Sequence, residues 1–272
     1  MKSLSKDQKD RISEVVKEIL TTRLENFPEP NQLIRNAPFH ERFLVAFADK
    51  LKRVSVPIPY LVAIASWMHG LNTSLGTGFE SLAHILSGGY KKRFTKRFRL
   101  SLKQSQVNVI DEIIRDLKSG NKKPDLNREN ELIYQFGKKD ANVEALEFTV
   151  DNFFETESSI EAIELKSVRP NSGEGRGEKQ KILHAKAALK NIYPNKEIKY
   201  FVGFPFDPTS SAPTGYDKKR FFDYLVEFKK FFAPEEILIA NELWDKLSGI
   251  SQTMKQILNI VSETVDVFNS SK

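Results

Sequence analysis

The sequence predicts an α/β fold: a mixed central β-sheet flanked by helices, with a helical layer at the N-terminus. Three observations predict it. Phe148 to Phe154 and Ile160 to Val168 have strand character, and the polar run Thr156, Glu157, Ser158, Ser159 between them reads as a hairpin loop. Ile198 to Phe204 reads as a further strand beyond a helix-length segment, and a right-handed crossover makes it parallel to the Ile160 strand. Apolar residues at helical spacing occupy much of the remaining chain, so antiparallel and parallel pairs share one sheet between helices.

The elements follow in order. Ser5 with Gln8 makes a capping box, and Ile12, Val15, Val16, Ile19 and Leu20 continue at helical spacing until Pro28 and Pro30 end the helix. A second helix from Phe39 to Leu51 carries Phe43, Phe47 and Leu51 on one stripe. Pro57 and Pro59 start a third, nearly all apolar to Met68 and therefore expected to be buried. Asn72 to Gly78 reads as a loop, and Gly78 opens a short helix closed by Gly88 and Gly89. Val107, Ile110, Ile114 and Leu117 mark a helix stopped at Gly120, followed by a charged surface connection from Lys122 to Asn130 and a sheet from Leu132 through Val168.

Glu178 to Tyr193 predicts a helix with Ile182, Ala185, Leu189 and Ile192 facing inward, and with Lys179, Lys181, Lys186 and Lys190 off that stripe. Phe206 to Tyr216 is a long loop with a functional rather than idle reading. Asp217 caps a helix bearing Phe221, Leu225, Phe228 and Phe232. Ile250, Met254, Ile257, Val261, Val265 and Phe268 form a last stripe that covers the core or pairs with a second subunit. The chain divides as residues 1–71, a helical layer packed on the core, and residues 72–272, an α/β core with C-terminal helices, within one structural domain overall.

Composition excludes several classes. With no Cys, disulfides and thiolate metal sites are out of reach, and a reducing, cytoplasmic setting fits. The polar N-terminus shows no secretory signal, and Ile58 to Met68 is far shorter than the roughly 20 apolar residues that span a bilayer. The four histidines are dispersed, no Gly-x-Ser-x-Gly elbow is present, and the glycines after Val168 match no dinucleotide fingerprint. The balance of 42 basic against 36 acidic residues is mild. Its distribution is not: Lys91 to Arg99 packs six cations into nine positions with aromatics between them, which is a solvated basic face or a surface for a polyanion.

The chemistry concentrates between Asp151 and Lys190. Glu164 and Lys166 interrupt one face of an otherwise buried strand, where ionisable groups cost several kcal/mol unless paired, metal-bound or used. If the four loop residues alone are unpaired, Asp151 falls opposite Glu164 on the ladder. A divalent cation turns that repulsion into ligation, and oxygen-only ligands favour Mg²⁺ or Mn²⁺. Lys166 points to the same face, where its ammonium can orient a water or balance a phosphate.

Asp151, Glu164, Leu165 and Lys166 resemble the signature of the PD-(D/E)xK nuclease superfamily, an acidic residue followed at a distance by acidic-x-Lys. Val150 stands where that signature carries proline, so Asp151 is assigned by hairpin geometry. The run Glu164-Leu165-Lys166-Ser167-Val168-Arg169-Pro170-Asn171, the Gly-Glu-Gly-Arg-Gly-Glu-Lys after it, Ala233-Pro234-Glu235-Glu236, and Leu243 to Gly249 are similar to a group of type II restriction endonucleases. The resemblance covers roughly residues 72 to 250.

It implies a restriction-endonuclease-like fold and hydrolysis of DNA phosphodiesters to a 3′-hydroxyl and a 5′-phosphate. Asp151, Glu164 and the Leu165 carbonyl would hold the metal, with Lys166 positioning the water. Glu80, on a helix beside the sheet, is the candidate to complete the site; its alternative is an ordinary solvent-facing helix carboxylate.

In that reading Arg169, Asn171, Glu174 and Arg176 are equipped to read bases. Lys179 and Lys181 are phosphate anchors, and Lys91, Lys92 and Arg93 belong to the DNA-facing patch. A two-fold symmetric site calls for a homodimer. The resemblance also implies a companion DNA methyltransferase and a GGNCC-like target. The rivals are a repair or junction nuclease with the same core, separable by cleavage of structured DNA, and a non-catalytic DNA-binding protein, separable by retention without strand breaks.

Overall fold

In the computed structural model, the described residues are 2–28, 38–47, 51, 57–98, 100–137, 140–166 and 174–271. Helix α1 spans Lys6–Glu25, and the expected capping box is present: the Ser5 hydroxyl accepts from the Gln8 N–H at 3.1 Å, and the Gln8 side chain accepts from the Ser5 N–H. Helix α2, Pro38–Val45, is shorter than expected, and Phe39, Phe43 and Phe47 are exposed.

The third helix departs most from expectation. Helix α3 runs unbroken from Ile58 to Ser87, so the loop expected over Asn72 to Gly78 is helical and the helix continues through residues 71 and 72. Its first part is mostly half-buried, with Ala63 buried, rather than fully buried as expected. Two physical facts hold the polar run in the helix. The hydroxyls of Thr73, Thr77 and Ser81 each donate to the carbonyl four residues earlier, satisfying groups that otherwise compete for the backbone. Gly78 lies so close to α1 that a Cβ there would come within 2.8 Å of Ile19 Cδ1, and this packing offsets the roughly 1 kcal/mol that a helical glycine costs. Gly88 ends the helix in the left-handed conformation, as expected.

Strand β1, Tyr90–Phe94, lies where the sequence reading found only a basic patch. After it come β2 (Ser101–Lys103), α4 (Gln104–Ser119), α5 (Leu126–Tyr134) and β3 (Asn142–Glu144). The expected surface connection from Lys122 to Asn130 is thus partly helix: Asp125 caps α5 by accepting from the Arg128 N–H at 3.0 Å. Strands β2 and β3 pair with each other in a separate ribbon.

Strands β4 (Phe148–Glu155) and β5 (Ser159–Leu165) form the expected antiparallel hairpin, with Glu155 opposite Ile160 and Asn152 opposite Ile163. Helix α6 spans Glu174–Ile192, beginning four residues before the expected start. Strand β6, Glu197–Phe204, pairs parallel to β5, with Glu164 beside Val202, as the crossover rule predicts. The single expected helix after Asp217 is two, α7 (Lys218–Tyr224) and α8 (Val226–Phe231), broken at Leu225. Strand β7 (Ile237–Ile239), α9 (Asn241–Ser248) and α10 (Thr253–Ser270) complete the chain.

The main sheet has the order β1-β4-β5-β6-β7 and is mixed, antiparallel on the β1 side and parallel on the β7 side. Alternation along the strands separates its faces. Asn152, Phe154, Glu161 and Ile163 meet α3 and α9, while Glu164 meets α6. Helix α10 packs on α1: Met254 and Ile257 of the expected stripe are buried, Val261, Val265 and Phe268 half-buried, Ile260 beside the stripe is buried, and the Thr264 and Ser13 hydroxyls are 2.9 Å apart.

Candidate active site

The hairpin register brings the acidic pair together. The paired ladder ends with Asn152 opposite Ile163, and one further step in the same register sets Asp151 across from Glu164, the last residue but one of β5. Asp151 Oδ2 accepts from the Leu165 N–H at 3.0 Å, which ties the middle of β4 to the residue between Glu164 and Lys166. On its other side β4 bulges: between the pairs Tyr90–Phe153 and Lys92–Val150, two residues of β4 face Lys91 alone. Such a bulge re-aims side chains. Here it accompanies a Lys91 that turns into the site, with Nζ 2.7 Å from Glu80 and 3.5 Å from Asp151. His84 of α3 stands 2.7 Å from the Asp151 carbonyl through Nε2.

Around Glu164 the charges alternate. Lys166 Nζ is 3.2 Å from Glu164 and 2.8 Å from Glu178; Lys181 Nζ is 2.8 Å from Glu164 and 3.2 Å from Glu178. Burial raises the Glu164 pKa, the Asp151 charge adds to it, and the two lysines oppose it. Burial works against the Lys166 ammonium, but Glu164 and Glu178 outweigh it and its pKa is raised. The hydrogen bond to Glu80 likewise raises Lys91. Burial, with the charges of Glu164, Glu178 and Asp151, lifts Tyr200 well above its ordinary value, so its hydroxyl stays neutral.

The predicted residues therefore separate. Asp151, Glu164, Leu165, Lys166, Glu80, Lys91 and Lys181 lie in one connected network of contacts. Lys181, expected to anchor phosphate, sits against Glu164. Lys92 lies 4.0 Å above the Phe153 ring, half-buried, and Arg93 is exposed beside it on the edge strand. Glu174 and Arg176 fall in the first turn of α6, with Arg176 exposed. Arg169 and Asn171 lie outside the described residues.

Lys179 is a correction. It is fully buried, held bidentately by Glu236 at 2.7 Å and by Glu129, so it is no phosphate anchor. Lys186, also expected off the buried stripe, is buried too. The helix's buried face is wider than an Ile and Leu stripe indicates, and it stops short of Ile192, expected inward but exposed. Glu178 and Tyr200 are the residues that sequence reasoning missed. The one available signal for Glu178 was its place one turn before Lys181, a spacing that puts both on one helix face.

Among the described residues no group of three or more His, Cys, Asp or Glu side chains is arranged to hold a metal ion. The donors nonetheless suit a hard divalent cation: two carboxylates on neighbouring strands, one with a buried oxygen, Glu164 Oε2, that has no hydrogen-bond partner.

Comparison with known proteins gives the same direction as this geometry. The family model for HinfI, type II restriction endonuclease, matches residues 4–265. The chain belongs to that family. It is also 45% identical over 264 residues to "Type II restriction enzyme MjaII" of Methanocaldococcus jannaschii, a match covering 95% of this chain and 70% of that one. The protein is accordingly a site-specific deoxyribonuclease acting on double-stranded DNA. Type II restriction endonucleases generally use a divalent metal. No described helix is long and apolar enough to cross a membrane.

Proposed function

We propose that this restriction endonuclease cuts DNA at a short sequence using Mg²⁺, which Mn²⁺ can replace, held by the carboxylates of Asp151 and Glu164 and the carbonyl of Leu165. The observation that carries the reading is the hydrogen bond from the Leu165 N–H to Asp151, which joins the middle of β4 to the last residue of β5, between Glu164 and the Lys166 ammonium. A bound divalent cation supplies Lewis acidity toward a phosphate oxygen and toward water.

The chain's own groups do the rest. The Lys166 ammonium donates a hydrogen bond to the attacking water and orients it in line with the leaving 3′-oxygen, giving a 3′-hydroxyl and a 5′-phosphate. Lys181 and Lys91, both at the rim of the site, neutralise the approaching phosphates. Glu80 holds Lys91 and stands beside Asp151 as the further acidic member of the site. Arg169, Asn171, Glu174 and Arg176 read bases, and Lys92 and Arg93 meet the backbone. The enzyme works in the cytoplasm as a homodimer beside a companion methyltransferase, on a GGNCC-like site carried over from the family resemblance.

Incubation with a phage genome, with Mg²⁺ or with chelator, tests the reading. Wild type yields discrete Mg²⁺-dependent fragments, and Lys166→Ala slows cleavage by about 100-fold or more. Sequencing of the fragment ends reads out the site. An unaltered pattern with Lys166→Ala would reject the role of that amine.

A further inference from the structure

We propose that Glu178 is a positioning residue for the cleavage reaction: its carboxylate holds the Lys166 ammonium at the end of β5 while Glu164 serves a cation. The inference rests on the role given to Lys166 above.

Glu164, Lys166, Glu178 and Lys181 form a closed ring in which each ammonium touches both carboxylates, at 2.8 and 3.2 Å. Within that ring the same oxygen, Glu164 Oε1, contacts both lysines. A carboxylate engaged by a divalent cation has less charge to offer them. Without Glu178, two neighbouring ammonium groups would then share one weakened counter-ion and repel each other. Glu178 supplies the second negative charge, and it binds Lys166 more closely than Glu164 does.

Its own placement is rigid. The next residue, Lys179, is locked by Glu236 and Glu129, and Gly175, one turn earlier, packs against the backbone of Glu227. Buried Ile182 and Leu183 fix the following turn. These anchors hold α6 without Glu178, so Glu178 is available to set the geometry of its neighbour.

The test uses the full chain and a supercoiled plasmid that it cuts, with enzyme in excess so that one turnover is followed. Glu178→Ala slows cleavage by about 10- to 100-fold, the effect of displacing a reacting group by a fraction of an ångström to an ångström, and Glu178→Asp recovers most of the rate. Binding to a synthetic duplex carrying the mapped cut site, measured in chelator, is unchanged, and the melting temperature, lowered by the lost ion pairs, stays well above the assay temperature. Lys166→Ala/Glu178→Ala cuts no more slowly than Lys166→Ala, because a group acting through the amine has nothing left to position. Losses that multiply in the double variant, loss of duplex binding, or a Glu178→Ala protein as fast as wild type would each overturn the proposal. A wild type that leaves the plasmid intact removes the cleavage reading and this inference together; a wild type that cuts beside an equally fast Glu178→Ala removes this one alone.

Discussion

Glu164 carries its charge against its surroundings. Burial, reinforced by Asp151, raises its pKa, so the folded state holds its proton to higher pH than the unfolded chain does. Stability from this group is therefore full below the ordinary glutamate range and is lost as pH rises through the raised value. Glu164→Gln, which cannot ionise, should melt above wild type at pH 8, with the gain shrinking as the pH falls through the raised value and gone below the ordinary glutamate range, although cleavage is lost. A thermal difference that stays constant across that range would show that the carboxyl is not perturbed. The Lys179, Glu129 and Glu236 cluster uses the same residue types differently: it is sealed in the core, pairs an ammonium with two carboxylates and touches no substrate face.

Among the elements, the pairing of β1 with β4 does most to shape the site. Asp151 and Asn152 together face Lys91, and the chain enters this pairing through Gly89, where a Cβ would lie 2.6 Å from Asn152 Oδ1 and 2.9 Å from the Phe153 carbonyl. A backbone oxygen inside a ladder cannot give way as a side-chain tip can. Gly89→Ala should thus push β1 outward and destabilise the fold by about 1–3 kcal/mol, the usual penalty of overpacking, with a parallel loss of cleavage as Lys91 and Asp151 move. Urea titration measures it, and a midpoint equal to wild type would mean that the strand accommodates the methyl. In contrast, the close approach of α1 and α3 at Gly78 meets only the end of Ile19, a contact that can yield.

At the scale of the whole molecule, one chain brings together a single set of Asp151, Glu164 and Lys166, and cutting both strands of a symmetric duplex site needs two. The expected mass in solution is therefore twice 31.2 kDa, and plasmid should pass from supercoiled to linear form with little nicked circle. Sedimentation together with a time course on agarose checks both. A monomeric mass with accumulation of nicked circle would show that the strands are cut by separate binding events. If the edge carrying Lys91, Lys92 and Arg93 meets phosphates, as proposed, salt should weaken binding steeply.

Read alone, the sequence determined the hairpin and its register, the parallel return of β6, the caps of α1 and α7, and the grouping of Asp151, Glu164 and Lys166. Each of these rests on interactions between residues near in the chain or on a fixed chirality: a four-residue turn, a period of two, a side-chain cap, a right-handed crossover. Only the tertiary structure decided the rest. It made one helix of α3, because hydroxyls bonding back to carbonyls and a close neighbour in α1 override the helix-breaking composition of Asn72 to Gly78. It sent Lys179 inward to Glu129 and Glu236 but Glu178 and Lys181 to Glu164 and Lys166. Adjacent charged residues look alike in sequence, and what separates them is which distant carboxylate or amine the fold brings within 3 Å.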